Sequence, residues 1–296
     1  MATLFVMIKR NIKMFFKDKG VVLTSMITPI ILLLLYSTFL FKVFKDSFQS
    51  SLPGGVPFEE SLVDSLISGQ LVSSLLAVSC VTVAFCSNAI MVADRYSDSL
   101  KDFLVTPVKK STLALSYYIS SMISTLIVCY LALCLGFSYM AIVGWHLQTG
   151  DAFLMVLDVF LLVNFGTALS SLVHFFLKSQ GQMSAVGAIV SACYGFICGA
   201  YMPMSNFPDG LQKALSFLPG TYGTVLLRHH AMLTTLEEFG YPDEINQSIL
   251  KSVDARIFFF DNEISIGACY GILVGAIVVL IGIYVILNLF RKKNAR

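Results

Sequence analysis

One acidic residue, Asp158, lies inside the long apolar stretches of this 296-residue sequence and is the first candidate for chemistry. An ionisable side chain in a hydrocarbon interior is costly unless it faces protein or water. Asp158 is therefore a candidate residue of a substrate or proton pathway. A structural hydrogen bond to a neighbouring helix, or a position near the outer interface, is the alternative that the sequence leaves open.

The segment from Asp94 to Pro107 has the pattern of a short amphipathic helix. Its apolar side chains recur at helical spacing at Tyr96, Leu100, Phe103 and Leu104. Pro107 ends the pattern because proline cannot continue a helix. A membrane protein presents such a helix to a soluble partner, and a helix that rests on lipid headgroups is the alternative. Periodicity does not separate the two.

Small residues recur at every fourth position in two apolar stretches. They are Gly187, Ser191, Gly195 and Gly199 in the first, and Gly267, Gly271 and Gly275 in the second. This spacing lets helix backbones approach closely in lipid. We expect at least one set to pack within the chain, and the sharper hypothesis is a subunit interface through the first set.

Several catalytic patterns are absent from the sequence. It has no Gly-x-x-x-x-Gly-Lys-Ser/Thr loop, no His-Glu-x-x-His and no Gly-x-Ser-x-Gly. The histidines have no acidic or cysteine neighbour at a ligand-like spacing, and the seven cysteines form no Cys-x-x-Cys pair. We expect no catalytic residue, no bound cofactor or metal, and no nucleic-acid partner.

Composition predicts the elements that hold these residues. The chain is 56% hydrophobic and 13% charged, with a mean hydropathy of +0.79, which indicates lipid as the solvent. A spanning helix needs about 20 mostly apolar residues. Six stretches qualify, at residues 21–44, 69–93, 112–143, 152–177, 181–202 and 264–290. We predict an all-α membrane protein with six transmembrane helices in one domain, 21–296.

The distribution of basic residues predicts the orientation. With both termini inside, fourteen of the twenty Lys and Arg residues lie on the cytoplasmic side. Basic residues are retained on that side during insertion. We therefore expect a multi-pass cell-membrane protein with both termini in the cytoplasm, and a bacterial plasma membrane as its location.

Residues 1–20 are too often interrupted by basic residues to span a membrane. On a helical wheel their apolar side chains fill one side, and Arg10, Lys13 and Lys17 lie opposite. This pattern predicts an amphipathic helix that lies on the inner membrane surface.

Residues 203–263 form the largest outer stretch, and their first half is unusually apolar. Two short helix-like runs, Phe207 to Ser216 and Thr221 to Thr235, predict a re-entrant helical hairpin before the last span, with Thr221 as a helix N-cap. A pair of helices lying on the surface is the alternative. The second half, which includes Asp254, is expected to be a small solvated connector.

The loop between the second and third spans resembles that of type 2 ABC transporter permeases. That family shows an acid and Arg, then Gly-Thr-Leu-Glu, and a Leu-rich turn that closes on Thr-Pro. The residues that fit are Asp94, Arg95, Ser99, Leu100, Leu104, Thr106 and Pro107, while Asp98 and Lys101 stand where Gly and Glu are usual. Pro203, Phe207-Pro208 and Leu218-Pro219-Gly220-Thr221-Tyr222 are similar to the family's segment before the last span.

This resemblance implies the permease subunit of an ATP-driven exporter. Residues 1–20 would be the connecting helix, and 94–107 the coupling helix that fits a nucleotide-binding ATPase subunit. The expected partners are two ATPase subunits carrying ATP and Mg, and a second copy of the chain or a related permease. The predicted partner-coupling residues are Asp94, Arg95, Leu100, Phe103, Leu104, Thr106 and Pro107. Gly187, Ser191, Gly195 and Gly199 would lie at the dimer seam.

Two other classes are weighed against this one. An ion- or proton-coupled secondary transporter would show an inverted repeat and charged or broken helices at mid-membrane. A membrane-embedded enzyme would need Ser, His or acidic residues clustered at one depth. Neither pattern is evident, so an exporter of an amphipathic drug, a peptide or toxin, or a lipid-linked molecule is favoured.

Overall fold

The computed structural model describes residues 2–51, 59–97, 99, 103, 105–106, 108–240, 242–259 and 262–290. The helices follow in chain order as α1 (Ala2–Lys17), α2 (Lys19–Leu35), α3 (Phe41–Ser51), α4 (Glu60–Ser87), α5 (Ala89–Tyr96), α6 (Lys110–Val143), α7 (Thr149–Phe176), α8 (Gln180–Ile197), α9 (Asp209–Leu215), α10 (Pro219–Glu238), α11 (Asp243–Ser252) and α12 (Ile266–Phe290). A π-helical turn, Tyr36–Leu40, joins α2 to α3, and a 3-10 turn, Met204–Asn206, precedes α9. Strands β1 (Phe258–Phe259) and β2 (Asn262–Glu263) pair antiparallel before the last helix.

Five helical stretches in the described part of the chain are long and apolar enough to cross a membrane. They are Lys19–Asp46, Glu60–Tyr96, Lys110–Val143, Thr149–Phe176 and Ile266–Phe290. The prediction of an all-α membrane protein is therefore confirmed. The remaining predicted span, 181–202, coincides with α8, whose 18 residues rise about 27 Å against a hydrocarbon core of about 30 Å. The count of six stays a prediction.

Helix α4 is the centre of the bundle. The most apolar part of the stretch Glu60–Tyr96 is 83% buried, against 11% for Ile266–Phe290. Helices α2, α6, α7, α8 and α10 all contact α4. Beyond Glu60, Asp64 and Gln70 near its start, α4 is apolar or small on every side and has no face that requires water, as is typical of a core helix.

Two glycines let neighbouring helices approach α4 closely. A Cβ atom at Gly69 of α4 would lie 2.5 Å from the carbonyl oxygen of Ala231 in α10. A Cβ atom at Gly166 of α7 would lie 2.8 Å from the carbonyl oxygen of Cys80 in α4. These contacts leave no room for a side chain, so both glycines are required for helix packing. The sequence analysis missed them because neither belongs to a four-residue repeat.

Polar side chains also tie the helices together. Asn88, between α4 and α5, donates from Nδ2 to the hydroxyls of Ser170 at 3.0 Å and Ser171 at 2.7 Å in α7. Hydrogen bonds of this kind hold helices together where water is absent.

Asp18 accepts from the backbone N–H groups of Gly20 at 3.0 Å and Val21 at 3.2 Å. It is therefore the N-cap of α2 and separates α1 from the first span.

Helix α1 packs on the bundle through one stripe and leaves apolar side chains exposed on another. Met7, Asn11 and Phe15 are buried, and α1 packs mainly against α6. Phe5 and Val6 are 68% and 64% exposed. An exposed apolar stripe beside a buried one suits a helix that lies between a protein bundle and lipid. The interfacial placement of residues 1–20 nevertheless stays a prediction.

The first span has an irregular turn in its C-terminal half. The π-helical turn Tyr36–Leu40 interrupts the α-helical hydrogen bonds between α2 and α3. Beyond it, Lys45 of α3 lies 2.6 Å from the carboxylate of Asp64 in the first turns of α4. This ion pair joins the C-terminal end of the first span to the N-terminal end of the second.

Helix α10 begins differently from the prediction. Its N-cap is Leu218, which makes no side-chain capping bond, and Pro219 occupies the first helical position. The Thr221 hydroxyl instead donates to the carbonyl of Leu215 at 3.1 Å, so the prediction of Thr221 as the N-cap is wrong. Proline needs no cap for its missing N–H, which is why it suits this position.

The start of α10 lies deep in the bundle. A Cβ atom at Gly220 would lie 2.5 Å from the hydroxyl oxygen of Tyr194 in α8 and 3.2 Å from the ring of Phe165 in α7. Nearly all of α10 is buried, including its polar residues. This burial fits a segment whose backbone is shielded by protein. The re-entrant hairpin itself stays a prediction.

Candidate functional site

The predicted partner-coupling segment is described at four of its seven predicted residues. Asp94, Arg95, Phe103 and Thr106 are described, and the other three, Leu100, Leu104 and Pro107, lie outside the described residues. Phe103 is half-buried against a cluster that includes Met7 and Tyr117. Val105, in contrast, is 86% exposed. Among the described residues of this segment, Val105 is the most exposed apolar side chain, ahead of Tyr96 at 49%, and the sequence analysis did not identify it.

Asp94 is buried and bound within the chain. Its carboxylate accepts two hydrogen bonds from Arg10 of α1, at 2.7 and 3.0 Å, and one from the hydroxyl of Tyr117 in α6, at 2.6 Å. The hydrogen bond to Asp94 raises the pKa of the Arg10 guanidinium. The guanidinium also lies over the ring of Phe103, 4.9 Å from its centroid. Two-pronged pairing of this kind fixes orientation as well as distance.

Arg95 binds the end of another helix. Its Nη1 atom donates to the carbonyl oxygens of His174 at 2.7 Å, Phe175 at 2.8 Å and Leu177 at 2.9 Å, at the C-terminus of α7. The last carbonyls of a helix lack partners within it and carry partial negative charge. Arg95 therefore satisfies and neutralises this helix end.

Together these two neighbouring residues join three helices to the C-terminal end of α5. Asp94 holds α1 and α6, and Arg95 holds α7. Both side chains are engaged inside the chain, so in the described structure they position the segment. Direct contact of either residue with a partner stays a prediction.

Asp158 lies in a buried polar cluster of three helices. It is 1% exposed, and one carboxylate oxygen lies 2.6 Å from Nδ1 of His230 in α10. The other oxygen accepts from the hydroxyl of Tyr270 in α12 at 2.6 Å. Both oxygens thus have partners, as the structural alternative requires. A role of Asp158 in the substrate pathway stays a prediction.

A second buried charged cluster was not foreseen. Arg228 of α10 is 1% exposed and donates to the carbonyl of Val253 at 3.0 Å and to the hydroxyl of Ser74 in α4 at 3.1 Å. It also pairs with Asp254 at 3.4 Å. The backbone N–H of Met204 donates to the same carboxylate.

Asp254 is therefore not part of a solvated connector, and that expectation is wrong at this residue. The side chain is 5% exposed, because Arg228 and the backbone before α9 draw it inward. Burial raises the pKa of the Asp254 carboxyl, and the charge of Arg228 opposes this rise. The cluster fastens the region between α11 and β1 to the helix bundle.

The predicted small-residue face of α8 divides into two parts. A Cβ atom at Gly187 would meet nothing within 4 Å, and Ser191 is exposed. A Cβ atom at Gly195, by contrast, would lie 2.3 Å from the ring of Tyr201, and Gly199 has a φ of +72°. The last two residues therefore serve the turn after α8, while Gly187 and Ser191 remain open to another molecule. A dimer seam at this face stays a prediction.

The second small-residue set packs against nothing in the described chain. Cβ atoms at Gly267, Gly271 and Gly275 of α12 would each meet no atom within 4 Å. Across the described residues, no group of three or more His, Cys, Asp or Glu side chains is placed to hold a metal ion. The polar clusters of the described residues are ion pairs and hydrogen bonds that link one helix to another, so they hold the helices in position.

Comparison with protein-family models identifies a family that this chain matches. The family model described as ABC-2 type transporter matches residues 2–231, which include α1, the segment after α5, and most of α10. No curated protein sequence matches the chain.

Proposed function

Since the chain belongs to the ABC-2 type transporter family, we propose that it is the membrane-embedded half of an ATP-driven exporter. The chain is a multi-pass transmembrane permease of an ABC transporter and is not itself an enzyme. The proposal adds a separate nucleotide-binding ATPase, present in two copies with ATP and Mg, and a second permease, either another copy or a related chain. The match over residues 2–231 is the observation that carries it.

The proposed topology has six spans and both termini in the cytoplasm of the cell. It requires that α8 crosses the membrane in addition to the five stretches already identified. The excess of Lys and Arg in segments 1–20, 94–111 and 291–296 supports this orientation. Gly187 and Ser191 of α8, which face away from the chain, are the proposed contacts of the dimer seam.

The segment 94–107 is the proposed coupling helix. ATP binding would close the ATPase dimer and move this segment as a lever. Because Asp94 is bonded to α1 and α6 and Arg95 to α7, such a movement would carry these helices with it as a rigid group. Val105, the most exposed apolar side chain here, is the proposed direct contact with the ATPase.

The proposed cargo is an amphipathic molecule, such as a drug, a peptide or toxin, or a lipid-linked compound. The apolar, phenylalanine-rich spans support this class. An ion- or proton-coupled secondary transporter is the second candidate function, and the buried pair of Asp158 and His230 is the observation that favours it. Transport that continues without any ATPase subunit would establish the second candidate.

The test compares two exposed apolar residues at the inner ends of helices. Tagged chain is purified from native membranes, and the ATPase activity that co-purifies with it is measured. Val105→Asp is expected to lose this activity while its membrane insertion is unchanged, because a charge would lie in the apolar contact. Phe176→Asp, at a side chain that is 62% exposed at the end of α7, is the matched control and should keep it. Equal co-purification with both variants would exclude Val105 as the contact, and transport by the chain alone would exclude the exporter.

A further inference from the structure

Helix α1 lies at the end of the bundle where the first and third spans begin. Asp18 alone separates α1 from α2. Met7 of α1 packs in a cluster with Leu113 and Tyr117, which belong to the first turns of α6. A helix packed on the first turns of a span lies where that span enters the membrane.

The side of α1 that faces away from the bundle mixes apolar and basic side chains. Phe5 and Val6 are 68% and 64% exposed, and Lys9, Lys13 and Lys17 are exposed as well. At about 100° per residue, these five side chains lie within about 120° of the helix circumference, opposite the buried stripe of this helix. We call these five residues the outward face of α1.

The outward face carries positive charge that the chain does not neutralise. The 16 residues of α1 include no acid, and the ion pair of Arg10 with Asp94 uses a basic residue outside this face. In the part of the chain that the structure describes, no acidic side chain pairs with the three lysines of the face. The lysines follow one another at four-residue intervals, so they form a row of positive charge along the helix.

The apolar part of the outward face shows which partner fits the lysines. Helix α2 follows directly, and its side chains Leu23 and Ile27 are 64% and 47% exposed, as expected for a span that faces acyl chains. Phe5 and Val6 add apolar surface beside the lysines. An anionic lipid surface accommodates both kinds of side chain, because apolar groups enter the hydrocarbon while lysines extend to the phosphates. An acidic protein surface would match the lysines alone.

We propose that the outward face of α1 binds anionic phospholipids, with Phe5 and Val6 among the acyl chains and the three lysines at the headgroup phosphates. Zwitterionic lipids should bind less well, because the cation of their own headgroup opposes the lysines. Assigning this site to the inner leaflet rests on the proposed topology, whereas the preference for anionic lipid does not.

The test measures which lipid lies against the outward face. The sequence contains one tryptophan, Trp145, so Trp145→Phe combined with Phe5→Trp leaves a single indole on this face. The protein is reconstituted in mixed vesicles of phosphatidylglycerol and phosphatidylcholine, and one of the two lipids carries bromine near the glycerol end of its acyl chains, where it quenches an indole on contact. The affinity for phosphatidylglycerol relative to phosphatidylcholine is expected to be at least about fivefold, which is the contribution of one lysine near an anionic surface.

A reporter within a span provides the control for the two brominated lipids. Phe160 is 40% exposed near the middle of α7, so Phe160→Trp in the same Trp145→Phe background should be quenched equally by both lipids. Equal quenching of the Phe5 reporter by both lipids would overturn the proposal. Quenching of the Phe5 reporter by neither lipid would mean that protein covers this face, and would overturn it as well.

Substituting the lysines should remove the preference. Lys9→Gln combined with Lys13→Gln is expected to lower the relative affinity for phosphatidylglycerol to about one, while Lys9→Arg combined with Lys13→Arg should keep it, because the charge is retained. Lys109→Gln combined with Lys178→Gln removes the same charge from exposed positions before α6 and after α7, and should also keep the preference. An equal loss in both glutamine pairs would mean that the net charge of the protein attracts the lipid, and the proposal would fail. None of these measurements needs an ATPase, so their outcome is independent of the exporter proposal.

Discussion

Replacing Arg10 with Ala is expected to destabilise the fold more than replacing Asp94 with Asn. The reason is a difference in exposure, because the Asp94 side chain is 3% exposed and that of Arg10 is 30% exposed. Without Arg10, the Asp94 carboxylate keeps the hydroxyl of Tyr117 but cannot reach water. Without a charged Asp94, the Arg10 guanidinium can turn toward solvent.

The magnitudes follow from this difference. Leaving one charge of a buried pair uncompensated costs about 3–5 kcal/mol, and we place Arg10→Ala at about 3 kcal/mol because the pair is partly exposed. Asp94→Asn loses charged hydrogen bonds but leaves no buried charge, and we expect about 1–2 kcal/mol. The double variant should resemble Asp94→Asn alone, since removing Arg10 then leaves no buried charge without a partner.

The assay is the free energy of unfolding in mixed detergent micelles as the fraction of dodecyl sulfate rises. Lys13→Ala, at an exposed position of the same helix α1, is the control and should stay within about 0.5 kcal/mol of the parent. If Asp94→Asn were as damaging as Arg10→Ala, or if the double variant cost the sum of both, the argument from burial would be refuted.

Two further predictions concern helix packing. Gly69→Ala should lower the free energy of unfolding by about 1–3 kcal/mol, because the added Cβ would lie 2.5 Å from the Ala231 carbonyl, whereas Gly187→Ala, with nothing within 4 Å, should be neutral in the same titration. Tyr270→Phe removes the donor to one oxygen of Asp158, and a loss of about 1–3 kcal/mol is expected. An unchanged unfolding midpoint would mean that this carboxylate finds water instead.

The spans were predictable where lipid alone sets the pattern. The predicted stretches 112–143 and 152–177 differ by only a few residues from Lys110–Val143 and Thr149–Phe176. The start of the second span was missed, because Glu60, Asp64 and Gln70 interrupt the apolar pattern. In the structure Gln70 is 5% exposed and Asp64 pairs with Lys45. Neighbouring helices therefore give these polar side chains an environment that lipid would not provide. Hydropathy does not contain this information.

The sequence motif drew attention to Asp94 and Arg95, but it did not predict the contacts that these residues make within the chain. Asp94 and Arg95 were identified, yet the partner of Asp94 is Arg10, which is 84 residues away. Likewise, Arg95 binds backbone carbonyls at the end of α7, and carbonyls carry no sequence signal. The motif thus singled out the residues that open the proposed coupling segment, and it did not indicate what holds them in place.

Charged residues outside the spans were misjudged for a related reason. Asp254 stands in a polar stretch and was expected to be solvated, whereas Arg228 is 26 residues earlier in an apolar one. Their pairing depends on how α10 enters the bundle, which no local pattern fixes. A buried arginine within an apolar run was the available signal, because an uncompensated charge there requires a partner.

The π-helical turn at Tyr36–Leu40 sets the angular position of everything that follows it in the first span. One residue advances a helix by about 100°, so a turn that holds an extra residue rotates α3 relative to α2 by that amount. With this rotation, Lys45 meets Asp64. Deleting one residue from the turn would move Lys45 to another side of its helix and break the contact between the end of the first span and the start of the second.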